Sequence, residues 1–334
     1  MLRLIVRRLL QLIPTLLGLT VLLFLWIHRL PGGPASALLG ERATEADRRQ
    51  MEEALGLDQP MWVQYGRWME RLAQLDLGNS VRTGQPVWEE FTLRFPATVE
   101  LAMTGILIAV VVGIPLGYFA ARRRGGWLDV TAVSASLVGV CIPVFFLAFL
   151  LRAVFAVNLG WLPSVGRQST GIDATEVTGF FVLDGILTGE FDASWDAIEH
   201  LILPGVALAS IPLAVVVRIT RASVLDVLGE DYVRTAESKG LKQRVVRGRH
   251  VMRNALLPVI TTVGLLTGSL LSGAVLTESV FSFNGIGSFI RTAIDIRDYP
   301  VLMGFILFIA VIYVVINLLV DLAYSLIDPR VRVN

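Results

Sequence analysis

Six apolar stretches without a charged residue alternate with polar segments along the chain. At about 1.5 Å per residue, roughly 20 apolar residues in a helix cross the hydrocarbon core of a bilayer. The pattern therefore predicts six membrane-spanning helices. They are Leu9–Ile27, Leu101–Ala121, Val130–Leu151, Leu201–Val217, Ala255–Thr277 and Pro300–Val320. The first is too long for the core of a cleaved signal peptide, which has about 7 to 15 residues, so we expect it to remain as a helix.

Positive charges fall in alternate polar segments. Lys and Arg concentrate before the first stretch, after the second and between Arg218 and Arg253. In the segment 158–200, Arg167 is the one basic residue. The seven acids of that segment are Asp173, Glu176, Asp184, Glu190, Asp192, Asp196 and Glu199. Because positive charge is retained on the cytoplasmic side, both termini are expected in the cytoplasm, with the segments after the first, third and fifth stretches outside.

Composition supports a membrane protein and excludes several other classes. Of 334 residues, 54% are hydrophobic and 17% are charged, and the net charge of +1 offers no general attraction to nucleic acid. A single cysteine, Cys141, excludes an internal disulfide framework. With only three histidines, a structural zinc site is not expected either.

Two long polar segments are expected on the outer side. In the first, Thr44 and Asp47 resemble a capping box that begins a helix, and Gly56 is a helix stop. Its aromatic residues could lie at the headgroup region or pack on the spans; anchoring at the membrane interface is favoured, with direct ligand contact as the alternative. They are Trp62, Tyr65, Trp68, Trp88 and Phe91. In the second segment, 158–200, the acids favour a solvated loop over a surface that attracts a cationic substrate or a partner.

Small and hydroxyl residues mark two of the apolar stretches. Gly113 with Gly117, and Gly264 with Gly268, have the spacing of close helix packing, a weak signal. The fifth stretch carries five hydroxyl side chains. They are Thr261, Thr262, Thr267, Ser269 and Ser272, which either line a polar translocation path or bond carbonyls of their own helix.

The chemistry missing from the sequence also narrows the function. No Lys, Asp, Glu or His lies in the middle of a stretch, where ion-coupled carriers place such groups. No phosphate-binding G-x-x-x-x-G-K-[ST] loop and no catalytic or metal-ligand cluster is evident. The chain is therefore predicted not to be an enzyme, and its energy should come from another protein.

The basic segment 229–258 holds the most information. It predicts a short helix from about Asp231, ended by Gly240, and a second basic helix that leads into the fifth stretch. Such an element either transmits motion from a docked motor protein or lies as a basic loop at lipid headgroups.

This segment resembles the coupling loop of permease subunits in ATP-binding-cassette (ABC) importers, most closely the dipeptide and oligopeptide branch. The matching residues are Asp231 to Ala236, Lys239 to Leu241 and Arg253 to Pro258. Glu237 and Ser238 replace a common Arg-Ala. Further similar landmarks are Leu55–Pro60, Asp76–Ser80, Pro96–Leu101, Leu159–Pro163, Arg297–Pro300 and Asp328–Arg332. Leu75 and Phe283-Asn284 depart from the family pattern in outward segments, which suggests an effect on receptor or substrate rather than on the fold.

The resemblance implies an all-α polytopic membrane protein in the cytoplasmic (inner) membrane. It has six transmembrane helices, five of which form a type I, MetI-like permease core, and an extra N-terminal helix and outward cap. The expected parts are the N-terminal helix (1–30), the cap (31–96), the core (97–327) and a cytoplasmic tail (328–334). The core includes the outward insertion 158–200 and the cytoplasmic coupling loop 218–254.

The resemblance also implies import of dipeptides or short oligopeptides, with relatives of similar length carrying nickel chelates or glutathione. The expected partners are a second homologous permease, two ABC ATPase subunits, an extracytoplasmic peptide-binding protein and the lipid bilayer, without nucleic acid. The chain itself should bind no cofactor or metal, because ATP and Mg²⁺ belong to the ATPase subunits. The expected coupling contacts are Tyr232, Arg234, Ala236, Gly240 and Leu241.

Overall fold

The computed structural model describes residues 2–29, 35, 39, 44–172 and 175–327. The side chains of 2–9, 48, 54, 55, 271–273, 321 and 323–327 lie outside this description. Helices dominate the described residues, and their only β pairing is an isolated bridge between Asn79 and Pro86. The expected all-α fold is confirmed.

Fourteen helices are numbered here in chain order. They are α1 (Leu2–His28), α2 (Glu45–Leu55), α3 (Met61–Ala73), α4 (Val87–Arg122), α5 (Trp127–Cys141), α6 (Val144–Leu151), α7 (Phe181–Thr188), α8 (Phe191–Leu228), α9 (Asp231–Ser238), α10 (Gln243–Val245), α11 (Arg253–Gly273), α12 (Val275–Phe281), α13 (Ile286–Asp295) and α14 (Tyr299–Ile327). Two π-helical turns, Arg152–Asn158 and Val246–Met252, continue α6 and α10.

Five described helical segments are long and apolar enough to cross a membrane, and a bent pair is the sixth candidate. The predicted third span, Val130–Leu151, corresponds to this bent pair, in which α5 meets α6 and its π-helical continuation at 102°. Pro143 lacks a backbone N–H and forces the preceding Ile142 into an extended conformation, with φ −81° and ψ 122°. The fifth span ends at Gly273, four residues before the predicted Thr277, since α12 begins separately at Val275.

The described chain divides into two compact units. The N-terminal unit contains Leu2–Thr98 and Asn284–Val315, and the core unit contains Val99–Phe283 and the chain from Ile316 onward. The expected parts 1–30, 31–96 and 97–327 stay a prediction.

In the N-terminal unit, aromatic side chains hold the helices together. Phe91 of α4 packs on Phe305 of α14, with ring centroids 5.3 Å apart, inside a cluster that also contains Phe289 of α13. Tyr65 and Trp68 of α3 pack on Phe24 of α1, at 5.3 and 5.9 Å. Two of the aromatic residues expected at the interface thus pack on the first span, whereas Trp62 is exposed.

Local signals in the N-terminal unit are confirmed. Thr44 and Asp47 form the capping box that begins α2, and Gly56 ends it with a φ of +64°. Two landmarks far apart in sequence also meet, because the Ser80 hydroxyl donates to the buried carboxylate of Asp298 at 2.6 Å.

In the core unit, the long helix α8 packs closely on α4. A Cβ atom at Gly113 would lie 2.9 Å from Val216, and one at Gly117 would lie 2.6 Å from the carbonyl of Val217. A Cβ at Gly264 of α11 would similarly meet Val320 of α14 at 2.5 Å. These distances are below normal contact, so the glycines predicted to allow close packing do so at these three positions.

The departures from the family pattern differ in their surroundings. Leu75, where a glycine is usual, has a φ of +60°, a conformation that costs a side-chain-bearing residue energy. Phe283 is fully buried. The burial of Phe283 ties this position to the fold, whereas Leu75 is exposed and its effect on receptor or substrate stays a prediction.

Candidate functional site

The segment 229–258 forms a helix, a glycine turn and a second helical stretch. Helix α9 begins at Asp231, whose carboxylate lies in the first turn, where the helix dipole favours negative charge. Gly240 follows the helix with a φ of +72° and donates its N–H to the carbonyl of Glu237 at 2.9 Å. Leu241 donates to the carbonyl of Ala236 at 3.3 Å, which satisfies a second carbonyl at the helix end. The predicted helix-glycine-helix geometry is present.

One face of α9 is anchored in the core unit. Val233 and Ala236 are buried in an apolar cluster with Val224 of α8, Val251 of the π-helical turn and Ala255 of α11. Because α9 contacts the ends of two long helices through this cluster, displacement of α9 would be transmitted to both.

Most members of the predicted coupling set lie outside this anchored face and are exposed. The Arg234 side chain is 71% exposed and lies 3.8 Å from Asp231. Tyr232 and Leu241 are also exposed, and the Tyr232 hydroxyl accepts a hydrogen bond from Asn254 at 2.9 Å. Around Gly240, no atom beyond the two neighbouring residues lies within 4 Å of an added Cβ. Four of the five predicted contacts are therefore accessible, whereas Ala236 lies on the anchored face.

Glu237, which replaces a common arginine, turns toward its own chain. Its carboxylate accepts a hydrogen bond from Gln243 at 3.4 Å. It also lines a cavity of about 220 Å³ together with Arg122 and Arg247. The acid therefore lies beside basic side chains of the core unit.

A buried ion pair near this element was not anticipated from the sequence. Arg221 of α8 donates to both carboxylate oxygens of Asp129 of α5, at 2.5 and 2.8 Å. Asp129 is buried and also accepts the N–H of Gly125 at 2.9 Å. This bidentate pair joins α5 to the part of α8 that precedes α9. The sequence signal that could have indicated this pair is Asp129 itself, the first acid after the Arg122–Arg124 cluster.

The hydroxyl side chains of α11 form hydrogen bonds within their own helix. Thr261, Thr262 and Thr267 donate to the carbonyls of Leu257, Pro258 and Val263 at 3.2, 2.8 and 2.9 Å, and Ser269 donates to Leu266 at 2.8 Å. The side chain of Ser272 lies outside the described part. A role for these residues in a translocation path stays a prediction.

In the acidic segment 158–200, carboxylates accept hydrogen bonds from other residues of the same segment. Asp184 is fully buried and accepts the N–H and hydroxyl of Thr178 and the N–H of Gly179, at 2.8, 2.5 and 2.9 Å. Asp196 accepts the N–H and hydroxyl of Ser169 at 2.7 and 2.6 Å. The prediction of a solvated loop is therefore wrong for these two acids. Asp173 lies outside the described residues.

Hydrogen bonds lower the pKa values of two acids in this segment. Burial raises the pKa of Asp184, but the hydrogen bonds from Thr178, Val177 and Gly179 together outweigh it and hold the pKa below its ordinary value. The N–H of Thr175 and the hydroxyls of Thr188 and Thr175 likewise lower the pKa of Glu190. Both carboxylates are therefore held in the charged form.

The side chain of Arg167, the basic residue of the segment, also forms contacts within the chain. It donates to Glu100 at 2.8 Å and to the carbonyl of Gly179 at 2.9 Å, and its guanidinium lies 3.7 Å from the ring centroid of Phe181. Among the described residues, no group of three His, Cys, Asp or Glu side chains is arranged to hold a metal ion.

Comparisons with known proteins agree across almost the whole chain. Residues 113–333 match the family described as binding-protein-dependent transport system inner membrane component, and residues 1–102 match the N-terminal membrane component of such systems. A dipeptide transport system permease protein of Alkalihalophilus pseudofirmus is 48% identical over 98% of each chain. A glutathione transport system permease protein of Salmonella paratyphi A is 38% identical over 99% of each chain.

A solved structure supports the fold. The chain resembles a subunit of the MetNI methionine ABC transporter in inward-facing conformations, with a TM-score of 0.53 and 12% identity. The match covers 70% of this chain and 93% of that subunit.

Proposed function

Because the chain belongs to the family of inner membrane components of binding-protein-dependent transport systems, we propose that it is the permease subunit of an ABC importer for dipeptides or short oligopeptides. The observation that carries this proposal is the 48% identity to a dipeptide permease along almost the entire length of both chains. The exposed surface around Gly240 supports the proposal that a separate ATPase subunit docks there and supplies the energy.

In this proposal, separate ATPase subunits dock on the exposed face of α9 and carry ATP and Mg²⁺, so this chain catalyses no reaction. Tyr232, Arg234, Gly240 and Leu241 form the contact, and Ala236 holds the helix against α8 and α11. Movement of α9 then tilts α8 and α11 and switches the path between outward and inward access. A second homologous permease completes the path, and an extracytoplasmic binding protein delivers the peptide.

The proposed orientation follows the distribution of positive charge. It places both termini and the basic segment 229–258 in the cytoplasm, and the segment 158–200 outside. The hydroxyl side chains of α11 are proposed to face the path. Because four of them donate their protons within the helix, their oxygen lone pairs are what they offer to a passing peptide.

Glutathione is the second candidate substrate, supported by the 38% identical glutathione permease. It is itself a short peptide, so the same mechanism would apply. Because this identity is lower than the 48% identity to the dipeptide permease, we rank glutathione as a less favoured substrate than dipeptides.

Uptake in a strain that lacks only this gene tests the proposal. Labelled dipeptide, a five-residue peptide, glutathione and a nickel chelate should be compared with and without the intact gene. We expect loss of dipeptide uptake, restored by the gene and abolished by ATP depletion while an ion gradient persists. Loss of glutathione or nickel uptake alone would overturn the dipeptide assignment. Uptake that survives ATP depletion would overturn the importer mechanism.

A further inference from the structure

A cavity of about 430 Å³ lies in the N-terminal unit, away from the proposed coupling contacts. This volume is in the range of about 300 to 1,000 Å³ that is typical of small-molecule sites. Its apolar lining comes from Phe24 and Ile27 of α1, Leu77, and Met303 of α14. Its polar lining comes from His28 and from one face and end of α3.

Two polar contacts hold the His28 ring in the cavity wall. The Gln64 amide nitrogen lies 3.0 and 2.7 Å from the carbonyls of Leu57 and Gln59, so it is the donor and the Gln64 side-chain oxygen is the acceptor. That oxygen lies 2.8 Å from His28 Nε2, and the carbonyl of Phe24 lies 2.8 Å from His28 Nδ1. Both ring nitrogens of His28 are therefore within hydrogen-bond distance of protein oxygens, which holds the ring in the wall of the cavity.

Four charges of both signs line the same cavity. Arg67, Glu70 and Arg71 lie on α3, and Asp76 follows it. None of these four side chains forms an ion pair with another described residue. The cavity therefore offers two guanidinium groups and two carboxylates to a ligand.

The cavity lies at the ends of two candidate membrane spans. His28 is the last residue of α1, a candidate membrane span, and Pro300 and Met303 lie in the first turns of α14, another span. Charged groups therefore surround the cavity where two apolar helices end, and apolar side chains line its remaining wall. An amphiphile at headgroup depth meets both kinds of surface.

We propose that this cavity binds a phospholipid whose headgroup carries a phosphate and a primary ammonium, as in phosphatidylethanolamine. The phosphate lies against Arg67 and Arg71, because guanidinium groups form charge-assisted hydrogen bonds with phosphate. The ammonium lies between Glu70 and Asp76. An acyl chain follows Phe24, Leu77 and Met303, which excludes water from apolar surface.

The first test measures the lipid retained by the full-length chain purified from membranes in mild detergent. Mass spectrometry should find phosphatidylethanolamine with the unchanged protein and about tenfold less with Arg67→Gln/Arg71→Gln, because two charge-assisted contacts are lost. Arg49→Gln on α2 is the matched control, since Arg49 does not line the cavity, and should retain the lipid. Equal retention by the double variant and the control would overturn the proposal.

A second variant keeps the test decisive if the arginine variant folds poorly. Glu70→Gln/Asp76→Asn keeps the phosphate contacts and removes the ammonium contacts. The unchanged protein should prefer added dioleoyl phosphatidylethanolamine over dioleoyl phosphatidylglycerol, and this double variant should bind both lipids equally. Soluble phosphoethanolamine should not displace the lipid, because it has no acyl chain. Displacement by phosphoethanolamine, or by a dipeptide, would overturn the lipid assignment. None of these outcomes depends on which peptide is transported.

Discussion

Two polar segments of the core unit, 158–200 and 229–258, use their charged side chains in opposite ways. In the first, Asp184 and Asp196 are buried and accept hydrogen bonds from backbone N–H groups of an irregular chain. In the second, Arg234 projects from a helix and is 71% exposed. An irregular segment has N–H groups that need acceptors, and carboxylates supply them, whereas a helix satisfies its own backbone and leaves its side chains free.

The comparison teaches that net charge does not identify a contact surface. Both segments looked like charged surfaces in the sequence, yet one uses several of its charges internally and the other presents them outward. The segment 229–258 is therefore the better candidate for binding a partner, and three measurements separate the two segments.

The largest effect is expected from Gly240→Asp in the second segment. We expect labelled dipeptide uptake to fall to background, because a carboxylate would project into the surface proposed to meet the ATPase. Stability should fall by about 1 kcal/mol, because Asp tolerates positive φ better than most residues and no atom beyond the neighbouring residues lies within 4 Å of the new Cβ.

Gly248→Asp is the matched control for this measurement, because Gly248 has open space around it but no positive φ and no predicted contact. It should retain most uptake. Normal uptake in Gly240→Asp, or an equal loss in both variants, would contradict the coupling assignment.

A smaller effect, on stability, is expected from Asp184→Ala in the first segment. Removal of this buried carboxylate leaves the N–H groups of Thr178 and Gly179 without their acceptor, which should cost about 2 to 4 kcal/mol. Thermal unfolding of the purified chain measures the loss. Glu176→Ala, at an exposed acid of the same segment, should change stability by less than about 0.5 kcal/mol. Equal effects would mean that the segment does not depend on its buried acid.

The smallest effect is expected in the pH dependence of stability. Because the pKa of Asp184 is lowered from its ordinary value of 3.8, its ionisation stabilises the fold above that pH. The contribution should be lost as the pH falls from 3.8 through the lowered folded-state pKa. The difference in melting temperature between the unchanged chain and Asp184→Asn should therefore be constant near neutrality and shrink in acid. A difference that is independent of pH would contradict the assignment.

Much of the candidate site was predictable from local sequence. Gly240 after a short polar helix predicted a helix end with positive φ, and this prediction is confirmed because helix ends depend on neighbouring residues. The Thr44 capping box and the close approach at Gly113 and Gly117 follow from equally local patterns. The burial of Ala236 could not be predicted in the same way, because it depends on Val224 and Val251, which lie in other helical elements.

The third span shows where a hydropathy pattern is insufficient. Residues from Val130 to Leu151 carry no charge and are mostly apolar, so composition alone indicated one helix. Pro143 was visible in the sequence, but membrane helices often tolerate proline, and the pattern does not specify whether the chain bends. The bend of 102° belongs to the tertiary structure.

The sequence by itself determined that this is a polytopic helical membrane protein, where its apolar spans lie, and that a glycine interrupts the basic segment 229–258. Bilayer thickness and helix geometry act on contiguous residues, so these properties are local. The tertiary structure decided which acids are buried, how Arg221 meets Asp129, and how His28 and α3 form one cavity. Each of these depends on residues brought together from distant positions, where burial and available hydrogen-bond partners determine what a charged side chain does.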